Sequence, residues 1–146
     1  MKNIAIITGA SSGIGRVYAE TVDREESFDE IWLIARREDK LLEVSESLKN
    51  PARVISLDLG KVESLYKFKE LLDEEKPNVQ LLINCSGFGK FGSYKDIEVA
   101  DSLSMIDVNS RAPVALTEFS LPYMTAGARI LEVCSIASFH PIPYLN

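Results

Sequence analysis

Apolar and polar positions follow two rhythms along this chain. Short unbroken apolar runs, such as Ile4-Ala5-Ile6-Ile7 and Ile31-Trp32-Leu33-Ile34-Ala35, alternate with longer stretches whose apolar residues recur every three or four positions. The first rhythm suits a strand buried on both faces, the second a helix with one buried face. The pattern predicts strands at about Asn3–Ile7, Glu30–Ala35, Arg53–Leu57, Gln80–Asn84 and Arg129–Cys134. It predicts helices over Gly13–Glu26, Glu38–Lys49 and Lys61–Glu75, and a long one from about Val99 to Met124. The inward face reads as Ile14, Val17, Tyr18, Thr21 and Val22 in the first helix, and as Leu41, Leu42, Val44 and Leu48 in the second. In the third it reads as Val62, Leu65, Phe68, Leu71 and Leu72, and Pro51 and Pro77 stop the second and third helices. Parallel strands need crossover connections, so strand and helix in alternation imply an α/β fold with a parallel sheet covered on both faces. Right-handed crossovers then give a doubly wound sheet of strand order 3-2-1-4-5. No repeat or linker interrupts the pattern, and one domain over residues 1–146 is expected.

The first strand passes into the first helix through Thr8-Gly9-Ala10-Ser11-Ser12-Gly13-Ile14-Gly15. In that setting Gly9 makes the turn, Gly13 keeps side-chain atoms away from an approaching pyrophosphate, and Gly15 lets helix and strand pack closely. The helix start offers free N–H groups and a positive dipole end to an anion. Ser11 and Ser12 add hydroxyls that can cap the helix or bond a phosphate. The spacing departs from G-x-G-x-x-G, and no Gly-Lys-Ser/Thr closes a P-loop. A glycine-rich surface turn is the rival reading. The strand before and the helix after favour a nucleotide seat.

Ligands of such sheets sit beyond the carboxyl ends of the strands, so the residues delivered there matter most. The second strand ends at Ala35, where an acid would bond a ribose 2′-hydroxyl, and Arg36-Arg37 follow it. Two guanidinium forks suit a 2′-phosphate, so NADP(H) is favoured over NAD(H), the alternative being an exposed basic pair opening a helix. Asp58-Leu59 follow the third strand, and Asp58 can cap the next helix. Asn84-Cys85-Ser86-Gly87 end the fourth: Asn84 can bond across to a neighbouring strand, and Gly87 lets the backbone pass close to a cofactor. Phe88-Gly89-Lys90-Phe91-Gly92 reads as an aromatic loop, either near a substrate or plain surface. Pro113 lies four residues after Asn109 and has no N–H for the Asn109 carbonyl, which implies a kink and a freed acceptor. The fifth strand delivers Ser135, which has no neighbouring base in sequence to make it a nucleophile. His140, the only histidine, lies among Phe139, Pro141, Ile142 and Pro143 as a pocket-lining loop residue, and one histidine makes no metal site.

Hydrophobic content of 46% and charged content of 26% are ordinary for a globular domain. A net charge of −6 excludes nucleic acid and anionic membrane as bulk partners, so an anionic cofactor needs local cations. Nothing resembles a signal peptide or a membrane span. Cys85 and Cys134 lack disulfide-scaffold or zinc spacing and read as buried, reduced thiols of a cytoplasmic protein.

Thr-Gly-Ala-Ser-Ser-Gly-Ile-Gly resembles, nearly letter for letter, the cofactor motif of the short-chain dehydrogenase/reductase family. Asn84-Cys85-Ser86-Gly87 is similar to that family's Asn-Asn-Ala-Gly, and Cys134-Ser135-Ile136-Ala137-Ser138 to its Ser-Ser-Ile-Ala-Gly. Ser12 stands where many NADP-preferring relatives carry a basic residue. The resemblance implies cofactor contacts from Thr8, Gly9, Ser11, Ser12, Gly13, Ile14, Gly15, Arg36, Arg37, Asp58, Leu59, Asn84, Ser86 and Gly87, with Asp58 on the adenine ring. It implies that Ser135 bonds the oxygen of a carbonyl or alcohol substrate and that the Asn109 carbonyl holds a relay water. The family's Tyr-x-x-x-Lys would fall just beyond Asn146, and Tyr144 sits too early to serve, so the chain is expected to be part of a longer enzyme. A homo-oligomer pairing through the helix around 99–124 is implied as well. The rivals are a catalytically inactive dinucleotide-binding or regulatory module and, more remotely, a methyltransferase-like domain using the same turn.

Overall fold

The computed structural model describes residues 1–145. Five strands, β1 (Asn3–Thr8), β2 (Glu30–Ala35), β3 (Ala52–Ser56), β4 (Asn78–Asn84) and β5 (Arg129–Glu132), form one sheet. Their order is β3-β2-β1-β4-β5, and every pairing is parallel. The doubly wound order expected from the sequence is therefore the observed one. The crossovers are α1 (Gly13–Glu25), α2 (Glu38–Ser47) and α3 (Val62–Glu75), and α4 (Val99–Ile106) and α5 (Ala112–Ser120) connect β4 to β5.

Side chains of β1 alternate between two cores, as the period of two demands. Ile4 and Ile6 join Trp32, Ile34, Leu65, Phe68, Leu72, Ala112 and Leu116 under α3 and α5. Ala5 and Ile7 join Ile31, Leu33, Ala19, Val22, Leu41 and Val44 under α1 and α2. Trp32 is buried whole, because its indole N–H donates to Glu30 Oε2 at 2.7 Å and the Arg53 guanidinium lies 5.0 Å from its ring.

Several expectations need correction. In α1 the buried residues are Gly15, Ala19, Val22 and Asp23, while Ile14 and Val17 are exposed. The helix presents its smallest residues to the sheet because Gly15 lies against the β1 turn, and this rotates the larger apolar residues outward. Leu42 and Val62 are likewise exposed at the edges of their helical faces. The long helix runs unbroken from Val99 to Tyr123 but is not α throughout. Between α4 and α5 the backbone widens into a π-turn over Asp107–Arg111, in which the Ala112 N–H reaches Asp107 O. Pro113 then sits in the first turn of α5, where it has no N–H to give the Asn109 carbonyl four residues back. A 3-10 turn, Leu121–Tyr123, ends this stretch. β5 stops at Glu132, so Cys134 lies beyond it and is exposed. Cys85 is half-buried, and burial pushes its thiol pKa up. No helix of the described residues is long and apolar enough to cross a membrane.

Candidate active site

The sheet order reverses between β1 and β4, and the crevice opens beyond their carboxyl ends. The three glycines of the β1–α1 turn do separate work there. Gly9 has φ +67°, and a Cβ on it would lie 2.9 Å from the Cys85 carbonyl oxygen. A Cβ on Gly15 would lie 2.3 Å from Gly9 O, inside the turn itself. Gly13, at φ +56°, would meet nothing within 4 Å, so it faces open space. Ser12 is the N-cap residue of α1, and its side chain makes no capping bond. The N–H groups of Gly13, Ile14 and Gly15 precede the first bond of that helix, Arg16 N–H to Ser12 O, and have no acceptor among the described residues. A bare concave turn rimmed by free donors at the positive end of a 13-residue helix fits a diphosphate.

The hydroxyls of Ser11 and Ser12 face sideways, toward α2. Arg37 Nη2 donates to Ser12 Oγ at 2.8 Å and to Ser11 Oγ at 3.3 Å. This ties the β2–α2 junction to the glycine turn. Neither Arg36 nor Arg37 pairs with a carboxylate among the described residues, and both line the crevice. Asp58 does not cap α3: its Oδ1 accepts from Gly60 N–H at 3.1 Å, and the N-cap position belongs to Lys61. Leu59 is buried in the core yet reaches the crevice wall.

Thr8 and Asn84 lie behind that wall rather than on it. The Thr8 hydroxyl accepts the N–H groups of Cys85 at 2.9 Å and Ser86 at 3.0 Å, which locks the β1 end to the loop after β4. Asn84 Nδ2 donates across the sheet to Glu132 Oε1 at 2.7 Å and to Thr117 Oγ1 at 3.1 Å. Neither residue lines the crevice, and both brace the segments that do. Gly87 packs against Asn109, where a Cβ would lie 3.2 Å from Oδ1. The Asn109 amide clamps the next residue at both ends, with Phe88 N–H to Oδ1 at 3.0 Å and Nδ2 to Phe88 O at 2.7 Å. This clamp went unforeseen, since sequence reading considered only the Asn109 carbonyl. Arg111 adds a second tie, donating to Gly60 O at 2.8 Å.

Ser135 follows β5 and lines the crevice, its Oγ accepting from Ala137 N–H at 3.1 Å. His140 lies off the crevice wall, contrary to its expected place in the pocket lining. Among the described residues, no group of three His, Cys, Asp or Glu side chains could hold a metal ion. The crevice has a volume of about 1240 Å³, above the roughly 300–1,000 Å³ of drug-sized pockets. It runs from Arg36 and Arg37 past Gly13 to Ser135.

Together the sheet order and this crevice define a Rossmann-type α/β fold with an open crevice at the switch point. The short chain dehydrogenase family model matches residues 3–146, and the chain belongs to that family. It is 27% identical over 142 residues to an uncharacterised oxidoreductase of Staphylococcus epidermidis, covering 96% of this chain and 61% of that protein. It is 33% identical over 152 residues to sulfoacetaldehyde reductase 2 of Chromohalobacter salexigens, covering 98% and 58%. Among solved structures it matches a metagenomic short-chain oxidoreductase in complex with NADP, with TM-score 0.84 and 28% identity, over 97% of this chain and 66% of that one. The chain thus spans about three-fifths of the length of the curated relatives it matches.

Proposed function

We propose that this chain is the cofactor-holding part of an NADP(H)-dependent oxidoreductase acting on a small-molecule carbonyl or alcohol. The observation that carries the reading is the open Gly13 turn with its free helix N–H groups, beside two guanidinium groups that meet no carboxylate among the described residues. Gly9, Gly13, Ile14 and Gly15 would hold the diphosphate through backbone donors, with Ser11 and Ser12 beside them. Arg36 and Arg37 would hold the 2′-phosphate, and Asp58 and Leu59 would border the adenine. Ser86 and Gly87, fixed from behind by Thr8 and Asn109, would bring backbone close to the nicotinamide side. The bound nucleotide supplies the hydride, exchanged between nicotinamide C4 and the substrate carbon. Ser135 would hydrogen-bond the substrate oxygen, and the Asn109 carbonyl, freed from its usual helical donor by Pro113, would hold a relay water. In the family's pattern a Tyr would move the proton and a Lys would lower its pKa. The exposed residues Leu103, Ile106 and Val114 on α4 and α5 support pairing of two copies through this face, and the cytoplasm is the expected compartment.

A second reading, a dinucleotide-binding module without catalysis, rests on one observation. Ser135 Oγ has only Ala137 N–H as a partner among the described residues, and no base stands beside it. Titration of the chain with NADPH, NADH and S-adenosylmethionine tests the cofactor reading. NADPH should bind most tightly, and Arg36→Asp with Arg37→Ala should weaken NADPH at least about tenfold more than NADH. Equal loss of both would remove the arginines from the reading. Tighter binding of S-adenosylmethionine would replace it.

A further inference from the structure

Ser12 holds the position from which a serine usually closes a helix, yet it leaves this one open. A serine at an N-cap ordinarily turns its Oγ onto the N–H of the second or third helical residue, here Ile14 or Gly15. Its backbone is extended, at φ −167° and ψ 171°, but its side chain makes no capping bond. The Oγ accepts instead from Arg37 Nη2 at 2.8 Å. In that rotamer the oxygen faces α2 and is turned away from the start of α1.

The donor is held from both ends. Arg37 is the N-cap residue of α2, and its carbonyl accepts from Leu41 N–H at 3.1 Å. Its guanidinium also reaches the buried Ser11, whose Oγ lies 3.3 Å from Nη2. Ala10 N–H to Ile34 O, at 3.4 Å, joins the same two segments through their backbones. A hydrogen bond from a charged donor is about twice as strong as one between neutral groups, so Ser12 follows the arginine and not the helix. A guanidinium only donates, so Arg37 cannot itself occupy the N–H groups it uncovers.

We propose, on the basis of the cofactor reading above, that Arg37 is a positioning residue for the diphosphate. It holds Ser12 Oγ off the start of α1 and so keeps the Ile14 and Gly15 N–H groups open. Without it the serine turns back and caps the helix, and the nucleotide must displace that cap. A serine cap of ordinary strength costs a competing ligand about fivefold in affinity. This role serves NADPH and NADH alike, because both carry the diphosphate. It is separate from the arginine's hold on a 2′-phosphate.

Amide hydrogen exchange of the nucleotide-free chain by NMR, together with calorimetric titration with NADH, tests this. Arg37→Ala should slow exchange at Ile14 or Gly15 about threefold or more and weaken NADH about fivefold. Adding Ser12→Ala to that variant should restore both, because no hydroxyl is left to form the cap. Ser12→Ala alone should change neither. Recovery through a second deletion is not expected of an arginine that merely touches the nucleotide or supports the fold. The exchange arm needs no nucleotide and decides the capping step alone, whereas failure of the unaltered chain to bind NADPH or NADH strikes the cofactor reading. Unchanged or faster exchange in Arg37→Ala, or a loss of NADH affinity that Ser12→Ala does not restore, overturns the proposal.

Discussion

The two ends of the crevice are held in place by different forces. At the glycine end β1 has five of its six residues buried, and the turn after it is fixed by backbone contacts too close to admit any side chain. At the Ser135 end all four residues of β5 are exposed, and the strand is steadied by polar ties: Asn84 and Thr117 to Glu132, and Arg129 to Glu26. Packing that excludes a Cβ is unforgiving and indifferent to pH. Polar ties at a surface are weaker, each replaceable, and some of them titrate. The glycine end is thus the rigid half of the crevice, and the Ser135 end is the adjustable half.

The largest effect should come from Gly15→Ala. The added Cβ would lie 2.3 Å from Gly9 O, and both groups are backbone, so neither can swing aside. We expect a loss of about 3 kcal/mol or more in urea unfolding, together with loss of NADPH binding. Gly13→Ala provides the control. It meets no atom within 4 Å, and its cost is the left-handed backbone alone, about 1–2 kcal/mol. That variant should fold, yet bind NADPH more weakly because its methyl stands where the diphosphate would lie. If Gly15→Ala were as stable as Gly13→Ala, the rigid half would not be rigid.

Thr8→Val comes next, since it breaks the link between the two halves. The shape is kept, but the N–H groups of Cys85 and Ser86 lose their shared acceptor. An unsatisfied buried donor costs about 1–3 kcal/mol, so a destabilisation of about 2 kcal/mol is expected. Hydrogen exchange should quicken at Cys85 and Ser86 and stay unchanged in β2. At the adjustable end Glu132→Ala should cost less, about 1 kcal/mol, by stripping Asn84 and Thr117 of an acceptor. Its readout is faster exchange at Val133, whose N–H bonds Asn84 O at 3.0 Å.

What could be read from the sequence follows the same division. The strand order and the glycine turn were legible because they rest on local pattern: buried runs such as Ile4–Ile7, and glycines at a strand-to-helix junction. Side-chain direction was not. The Thr8 hydroxyl turns inward because β4 lies beside it, and Arg37 reaches Ser12 across a junction that no linear spacing reveals. The proline at 113 announced an irregularity in the long helix, but not that it is a π-turn, nor that Arg111 and Asn109 within it tie the Gly60 and Phe88 loops. Cys134 read as buried because it ended an apolar run. β5 stops two residues earlier at an open edge.

The smallest effect, and the one that separates the halves most cleanly, lies in the Glu26–Arg129 pair. Arg129 donates twice to the Glu26 carboxylate, at 3.0 and 2.5 Å, joining the end of α1 to the first residue of β5. These bonds are the main reason the Glu26 pKa lies below its ordinary value of 4.5, with burial acting the other way. A lowered carboxyl pKa means that the stabilisation is complete above about pH 4.5 and fades as pH falls through the lower folded-state value. The side chains are 37% and 54% exposed, so water and salt screen the pair, and Arg129→Ala should cost less than about 1 kcal/mol at pH 7. The gap between wild type and variant, measured by urea unfolding, should shrink below pH 4.5 and in 1 M salt. The gap for Gly15→Ala should do neither, because no titrating group takes part in that contact. A salt- and pH-insensitive effect of Arg129→Ala would mean that β5 is held by packing after all, and the distinction between the two ends would fall.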